Sequence, residues 1–150
     1  MRSSTQGQTE YERGAGRLFE TVIAAGGAEV GFGDQVRAAL DAGLALLASE
    51  PELADLVALQ PYECGQSLLG SHLSWVDRYA GLLRRAARFS PEANANPSFV
   101  EPALLGGVRW QIADSVLADR VVQLPELAPK LTRFVLSYYL PPELAASFAG

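Results

Sequence analysis

The chain has 150 residues, of which 49% are hydrophobic and 19% charged, and its net charge at pH 7 is −5. This length suits a single domain with a real core. The acidic balance and the lack of a Lys/Arg cluster argue against direct nucleic-acid binding by this chain. One cysteine cannot form an internal disulfide, and no apolar run approaches the roughly 20 residues that span a bilayer. We therefore expect a cytoplasmic protein that is neither exported nor membrane-spanning.

Helical periodicity dominates the sequence. Six segments repeat apolar residues at helical spacing, and none alternates with the period of two that a half-buried strand needs. The fold class predicted is all-α, an antiparallel bundle of about six helices. The polar residues 1–10 predict a disordered or frayed N-terminus, and residues 11–150 predict one helical domain.

Glycine and proline mark the ends of the first three predicted helices. The first helix is predicted over Tyr11–Ala25, before a run of glycines. The second is predicted from Asp34, as a cap or first-turn acid, to Glu50. Pro51 suits the first turn of a third helix, which Pro61 cuts short.

The fourth predicted helix, Glu63–Phe89, is long and carries one continuous apolar face. That face repeats in steps of four and three residues, at Leu68, His72, Trp75, Tyr79 and Leu82. A polar segment, Ser90–Ser98, predicts a flexible loop after it.

The last predicted helices are apolar on more than one side. They cover Phe99–Val122 and Pro125–Tyr139, and Glu143–Phe148 could add a final turn. A helix that is apolar around most of its girth has to be buried on two or more sides. This pattern, with the low charge content, predicts that a partner covers part of the surface.

Three segments resemble a known family. They are the Ala-Ser-Glu-Pro-Glu-Leu junction within Leu44–Leu53, the segment Ala103-Leu-Leu-Gly-Gly-Val-Arg-Trp, and the segment that begins Leu127-Ala-Pro-Lys-Leu-Thr-Arg-Phe-Val-Leu. Together with the order and length of the helices, they resemble the C-terminal regulatory domain of the tetracycline-repressor (TetR) family of transcriptional regulators. The helix-turn-helix unit of that family is missing, so we expect either a product that lost it or a fragment of a longer repressor.

The resemblance implies a symmetric homodimer. The last two long helices would form a four-helix seam, in which Gly106 and Gly107 allow two backbones to approach closely. The other expected seam residues are Leu104, Val108, Leu131, Phe134, Val135 and Tyr138. The alternative for the two glycines is close packing inside one subunit.

The resemblance also implies a pocket for a small hydrophobic effector, between the first, fourth and fifth predicted helices. The expected ligand-binding residues are Phe19, Leu68, His72, Trp75, Tyr79 and Trp110, with Phe32 as a further wall. An apolar lining with a few polar tips is typical of such pockets. Plain core packing of the same aromatic side chains is the alternative, and His72 could equally be a hydrogen-bonded core residue.

No catalytic residue, metal site or cofactor is predicted. The single His72 and the single Cys64 lie eight positions apart without further nitrogen or sulfur ligands, and no nucleophile, base and oxyanion donor can be named together. Cys64 could be a redox-sensitive thiol or simply a small buried hydrophobe. The main functional expectation is an effector-binding and dimerisation domain; the alternative is a ligand-free interaction module that pairs with a full-length regulator.

Overall fold

The computed structural model describes residues 4–63 and 65–150. It is 80% helical without strands in this part of the chain, which confirms the all-α prediction. The helices run in the order α1 (Ser4–Gly27), α2 (Phe32–Ser49), α3 (Pro51–Ala58), α4 (Gln60–Glu63), α5 (Gln66–Arg88), α6 (Val100–Leu117), a 3₁₀ helix (Val121–Leu127), α7 (Ala128–Leu136) and α8 (Pro142–Ser147). None of these described helices is long and apolar enough to cross a membrane.

Helix α1 begins seven residues earlier than predicted. Residues 4–10 are helical, where the sequence predicts a frayed N-terminus. The reason is tertiary: the Gln8 amide donates a hydrogen bond to the Ser71 hydroxyl on α5, at 3.3 Å, and Tyr11 is buried directly after it. A polar segment can form a helix when one side of that helix packs against a neighbouring helix.

Proline and acidic residues lie at the ends of the next helices, as predicted. Asp34 lies in the first turn of α2, and Pro51 occupies the first turn of α3. Helix α3 ends before Pro61, which belongs to the single turn α4. Cys64 lies outside the described residues, so its proposed redox role stays a prediction.

The C-terminal half departs from the predicted pair of long helices. Helix α6 stops at Leu117 because Asp119 adopts a left-handed backbone conformation with φ of 59°, which acidic and amide residues tolerate better than most. Pro125 then lies in the 3₁₀ helix and Pro129 in the first turn of α7. Prolines four residues apart lack the N–H groups that a continuous helix needs, and α7 therefore has only nine residues.

Two main clusters of buried side chains hold the helices together. One joins the start of α2 to α6, α7 and α8 around Phe32, Leu104 and Tyr139. The other joins α2, α3 and the 3₁₀ helix around Leu44, Leu124 and Leu131. The C-terminal segment completes the first cluster: a Cβ atom on Gly33 would overlap the ring of Phe148.

A buried acid links α5, α6 and the end of α7. Glu101, in the first turn of α6, is 1% exposed and accepts a 2.6 Å hydrogen bond from the Tyr139 hydroxyl. Arg84 of α5 forms an ion pair with the same carboxylate at 3.1 Å. Burial raises the pKa of Tyr139, and the hydrogen bond to Glu101 raises it further. The carboxylate is therefore held by two donors from two other parts of the chain.

The polar segment between α5 and α6 is attached to the end of α7. The Asn94 amide N–H donates to the Tyr139 carbonyl at 2.8 Å. The Asn96 side chain donates to the Tyr138 carbonyl, also at 2.8 Å. The prediction of a flexible loop from composition alone overlooked these anchors.

Candidate functional site

A cavity of about 410 Å³ lies between α1, α2, α5 and α6. Parts of α3 and α7 complete its wall, and the lining is almost entirely aliphatic and aromatic. A volume in this range is typical of small-molecule sites, which are concave and mainly apolar with a few polar groups. The cavity lies where the family resemblance implied a pocket, between the first helix, the long helix α5 and the inner side of α6.

Helix α1 contributes one continuous face to this cavity. Most of the residues of this face follow one another at steps of three or four, so they share one side of the helix. The face consists of Tyr11, Ala15, Leu18, Val22, Ile23, Gly26 and Gly27. On this helix only Phe19 was predicted to contact a ligand, although the repeat of Tyr11, Ala15, Leu18 and Val22 indicates this face.

Helix α5 supplies three of the predicted ligand-binding residues. His72, Trp75 and Tyr79 all line the cavity. Phe19 lies against two of them without belonging to the wall, since its ring centroid is 5.3 Å from that of Trp75 and 5.0 Å from that of Tyr79. Three residues of the predicted face of α5 therefore line the cavity, and Phe19 packs against two of them. Their binding of a ligand stays a prediction.

Three other predicted pocket residues lie elsewhere. Leu68 is buried behind the cavity wall, in a cluster with the lining residues Tyr11 and Ala15. Phe32 packs edge-on against Tyr139 in the main core. Trp110 is 57% exposed on the outer side of α6. The prediction for Trp110 is wrong because α6 is apolar on several sides, and periodicity alone does not tell which side faces inward.

Several polar groups lie together around His72 in the cavity wall. The Tyr11 hydroxyl and His72 Nδ1 are 3.1 Å apart and buried. The Tyr62 ring packs edge-on against the His72 ring, and the guanidinium carbon of Arg109 lies 4.2 Å from the centroid of the Tyr62 ring. Burial, and then the positive charge of Arg109, hold the pKa of His72 below its ordinary value.

The middle of the cavity contains an unsatisfied hydroxyl group. The Tyr79 hydroxyl is buried and has no hydrogen-bond partner among the described residues, and its pKa is raised by burial. Buried polar atoms without partners are uncommon and costly in folded proteins. Tyr79 is therefore a position where a bound molecule could supply a missing acceptor.

The expected dimer seam is largely part of the subunit's own core. Leu104, Leu131 and Val135 are buried within the chain, and Val108 lines the cavity. These four residues are therefore not free to form a seam in this fold, which corrects the prediction. They face inward because α7 packs on α2 and the 3₁₀ helix rather than lying beside α6 as a second long helix.

The other four predicted seam residues lie nearer the surface. A Cβ on Gly107 would approach the Phe134 ring of the same chain to 3.0 Å, so this glycine serves close packing inside one subunit. Gly106 has open space around it, and Tyr138 is 45% exposed. Gly106 lies on an exposed and mainly apolar face of α6, here called the outer face, which consists of Phe99 at the helix cap, Ala103, Gly106, Trp110, the charged Asp114 and Leu117.

Arg109 was not predicted as a site residue, and it is the one charged side chain in the cavity wall among the described residues. It directly precedes the exposed Trp110, and nothing in the periodicity of α6 separates the two.

Comparisons of the chain with protein-family models, with curated proteins and with solved structures returned no significant match.

Proposed function

We propose that this chain is an effector-binding and dimerisation domain of a TetR-like transcriptional regulator, and that its effector is a small hydrophobic molecule. The observation that carries the proposal is the apolar cavity of about 410 Å³ lined by His72, Trp75 and Tyr79. The alternative from the sequence, an interaction module with a solid core, requires no space behind Trp75 and Tyr79. The cavity therefore favours the effector-binding function.

The dimerisation part of the proposal is supported by the outer face of α6. Phe99 is 71% exposed and Leu117 is 67% exposed, and exposed apolar patches on soluble proteins commonly mark binding surfaces. The same face contains the small residues Ala103 and Gly106, seven and four positions before Trp110. Two copies related by a two-fold axis near Gly106 would place each Trp110 against the small residues of the other copy.

The effector site is tested with a neutral apolar fluorophore, N-phenyl-1-naphthylamine. We expect saturable binding to the wild-type protein, because the apolar wall removes the probe from water. Val76, in the wall on α5, is changed to Phe to fill the cavity, and Val30→Phe is the matched control because Val30 is 98% exposed. The Val76→Phe variant should bind the probe about tenfold more weakly or worse, a loss of about 1.4 kcal/mol or more. Equal binding by both variants, or no binding by the wild type, would refute the effector site.

Dimerisation is tested by sedimentation velocity and native mass spectrometry. Trp110→Glu introduces a charge into the outer face and should give a monomer. Leu73→Glu is the control, since Leu73 has a similar exposure (53%, against 57% for Trp110) but lies on α5. If the wild type is a monomer, or if the Trp110→Glu variant is still a dimer, the outer face is not a dimer interface.

A further inference from the structure

Arg109 is a cation in an apolar cavity wall, and it has no carboxylate partner among residues 4–63 and 65–150. Its Nη1 atom donates to the Ala58 carbonyl at 3.2 Å, and its guanidinium packs over the Tyr62 ring. Two other arginines that reach between helices do form ion pairs, Arg17 with Glu50 and Arg84 with Glu101. Arg109 is half-buried, and a ligand anion would supply the counter-ion that no described residue provides.

The groups beside Arg109 are hydrogen-bond donors. The Tyr11 hydroxyl keeps its proton at neutral pH because burial raises its pKa, and it can donate to His72 Nδ1 at 3.1 Å. That arrangement leaves the imidazole proton on Nε2, as a second donor. Arg109 and His72 together therefore form a part of the cavity wall that suits a negatively charged oxygen group.

The apolar lining of the cavity is long. It runs along α1 from Tyr11 to Gly27 and along α5 from His72 to Ala86, which corresponds to about 24 Å and about 21 Å at 1.5 Å per residue. An apolar lining of this length suits a hydrocarbon chain, which leaves water along its whole length on binding.

We propose that the cavity binds a long-chain monocarboxylate, with its carboxylate on Arg109 and its hydrocarbon tail between α1 and α5. The proposal rests on the proposed function, since it assigns a chemical class to the effector. An extended tail of about twelve carbons is shorter than the lining on α1 and α5.

The test compares dodecanoate with 1-dodecanol, which has the same tail and a neutral head, both below the concentrations at which they aggregate. Binding is followed through Trp75 fluorescence in a Trp110→Phe background, where Trp75 is the sole tryptophan. Arg109→Gln removes the charge, and Arg88→Gln is the control for the change in net charge because Arg88 is exposed at the end of α5. Arg109→Gln should weaken dodecanoate binding about 10- to 100-fold, with little effect on 1-dodecanol. Arg88→Gln should change neither.

A second readout uses wild-type protein and does not depend on the folding of a variant. His72 is the only histidine, so NMR reports its pKa without assignment. Bound dodecanoate should raise the pKa of His72, whereas 1-dodecanol should not, because only an anion stabilises the imidazolium.

The outcomes separate this inference from the proposed function. If 1-dodecanol binds as tightly as dodecanoate and Arg109→Gln has no effect on either, the cavity is an effector site but the carboxylate assignment is wrong. If neither compound binds, and N-phenyl-1-naphthylamine also fails, the effector site itself is wrong. If Arg88→Gln and Arg109→Gln weaken dodecanoate binding equally, the effect comes from the net charge of the protein. That result would also overturn the assignment of the carboxylate to Arg109.

Discussion

Replacing Tyr139 with Phe tests the buried link between α6 and the end of α7. The change removes one hydroxyl and leaves the ring in place, so the Glu101 carboxylate loses a 2.6 Å hydrogen bond while it stays 1% exposed. Hydrogen bonds to charged groups contribute about 1.5–3 kcal/mol. We expect the free energy of unfolding to fall by about 2 kcal/mol, which corresponds to a decrease in Tm of about 4–8 °C for a chain of this size.

The assay is urea unfolding followed by far-ultraviolet circular dichroism. Tyr138→Phe is the matched control, because Tyr138 is the next residue, is 45% exposed and forms no side-chain hydrogen bond through its hydroxyl in the described part of the chain. It should change stability by less than about 0.5 kcal/mol. In a Glu101→Leu background, Tyr139→Phe should be neutral or stabilising, since the hydroxyl has already lost its acceptor. Equal effects of Tyr138→Phe and Tyr139→Phe in the wild-type background would refute the reasoning.

Three further changes test other parts of the structure. The pKa of His72 is lowered in the folded protein, so between that pKa and about 6.5 the unfolded chain binds more protons than the folded one. The free energy of unfolding should therefore fall as the pH falls through this window. Urea midpoints measured from pH 5 to 7.5 should depend less steeply on pH for His72→Gln than for the wild type, and an equal pH dependence would contradict this prediction. Gly33→Ala should cost about 1–3 kcal/mol by displacing Phe148, whereas Gly31→Ala, with its nearest atom at 3.7 Å, should cost little in the same unfolding assay. Gly106→Ala should stabilise the subunit by up to about 1 kcal/mol, because a Cβ there meets open space; in sedimentation velocity, the same variant should associate more weakly if Gly106 faces a second copy.

The parts of the fold that the sequence predicts correctly depend on local signals. Pro51 and Pro61 bound α3 through the missing N–H group of proline, and the four-three repeat of α5 identifies a continuous face. The repeat contains His72, Trp75 and Tyr79, which line the cavity, and also Leu68, which does not. The spacing therefore identifies a buried face of α5, whereas the expectation of a pocket beside it came from the family resemblance.

The parts that the sequence did not predict depend on contacts between distant residues. Trp75 and Trp110 look equivalent in the sequence, yet one lines the cavity and the other is exposed on the far side of α6. The bond between Tyr139 and Glu101 joins residues 38 positions apart, which no periodicity reveals. Helix α7 is short because Pro125 and Pro129 together delay its start. The prediction considered only prolines that follow the end of the helix.

The attachment of the α5–α6 segment to the end of α7 has a consequence for hydrogen exchange. The Asn94 amide lies in a stretch without regular secondary structure, where exchange is normally fast, but its partner is the Tyr139 carbonyl beside a fully buried ring. Exchange at Asn94 therefore requires the end of α7 to open, and its protection should match that of core amides rather than that of exposed loops. One amide in a polar segment thus reports on the opening of the C-terminal part of the domain.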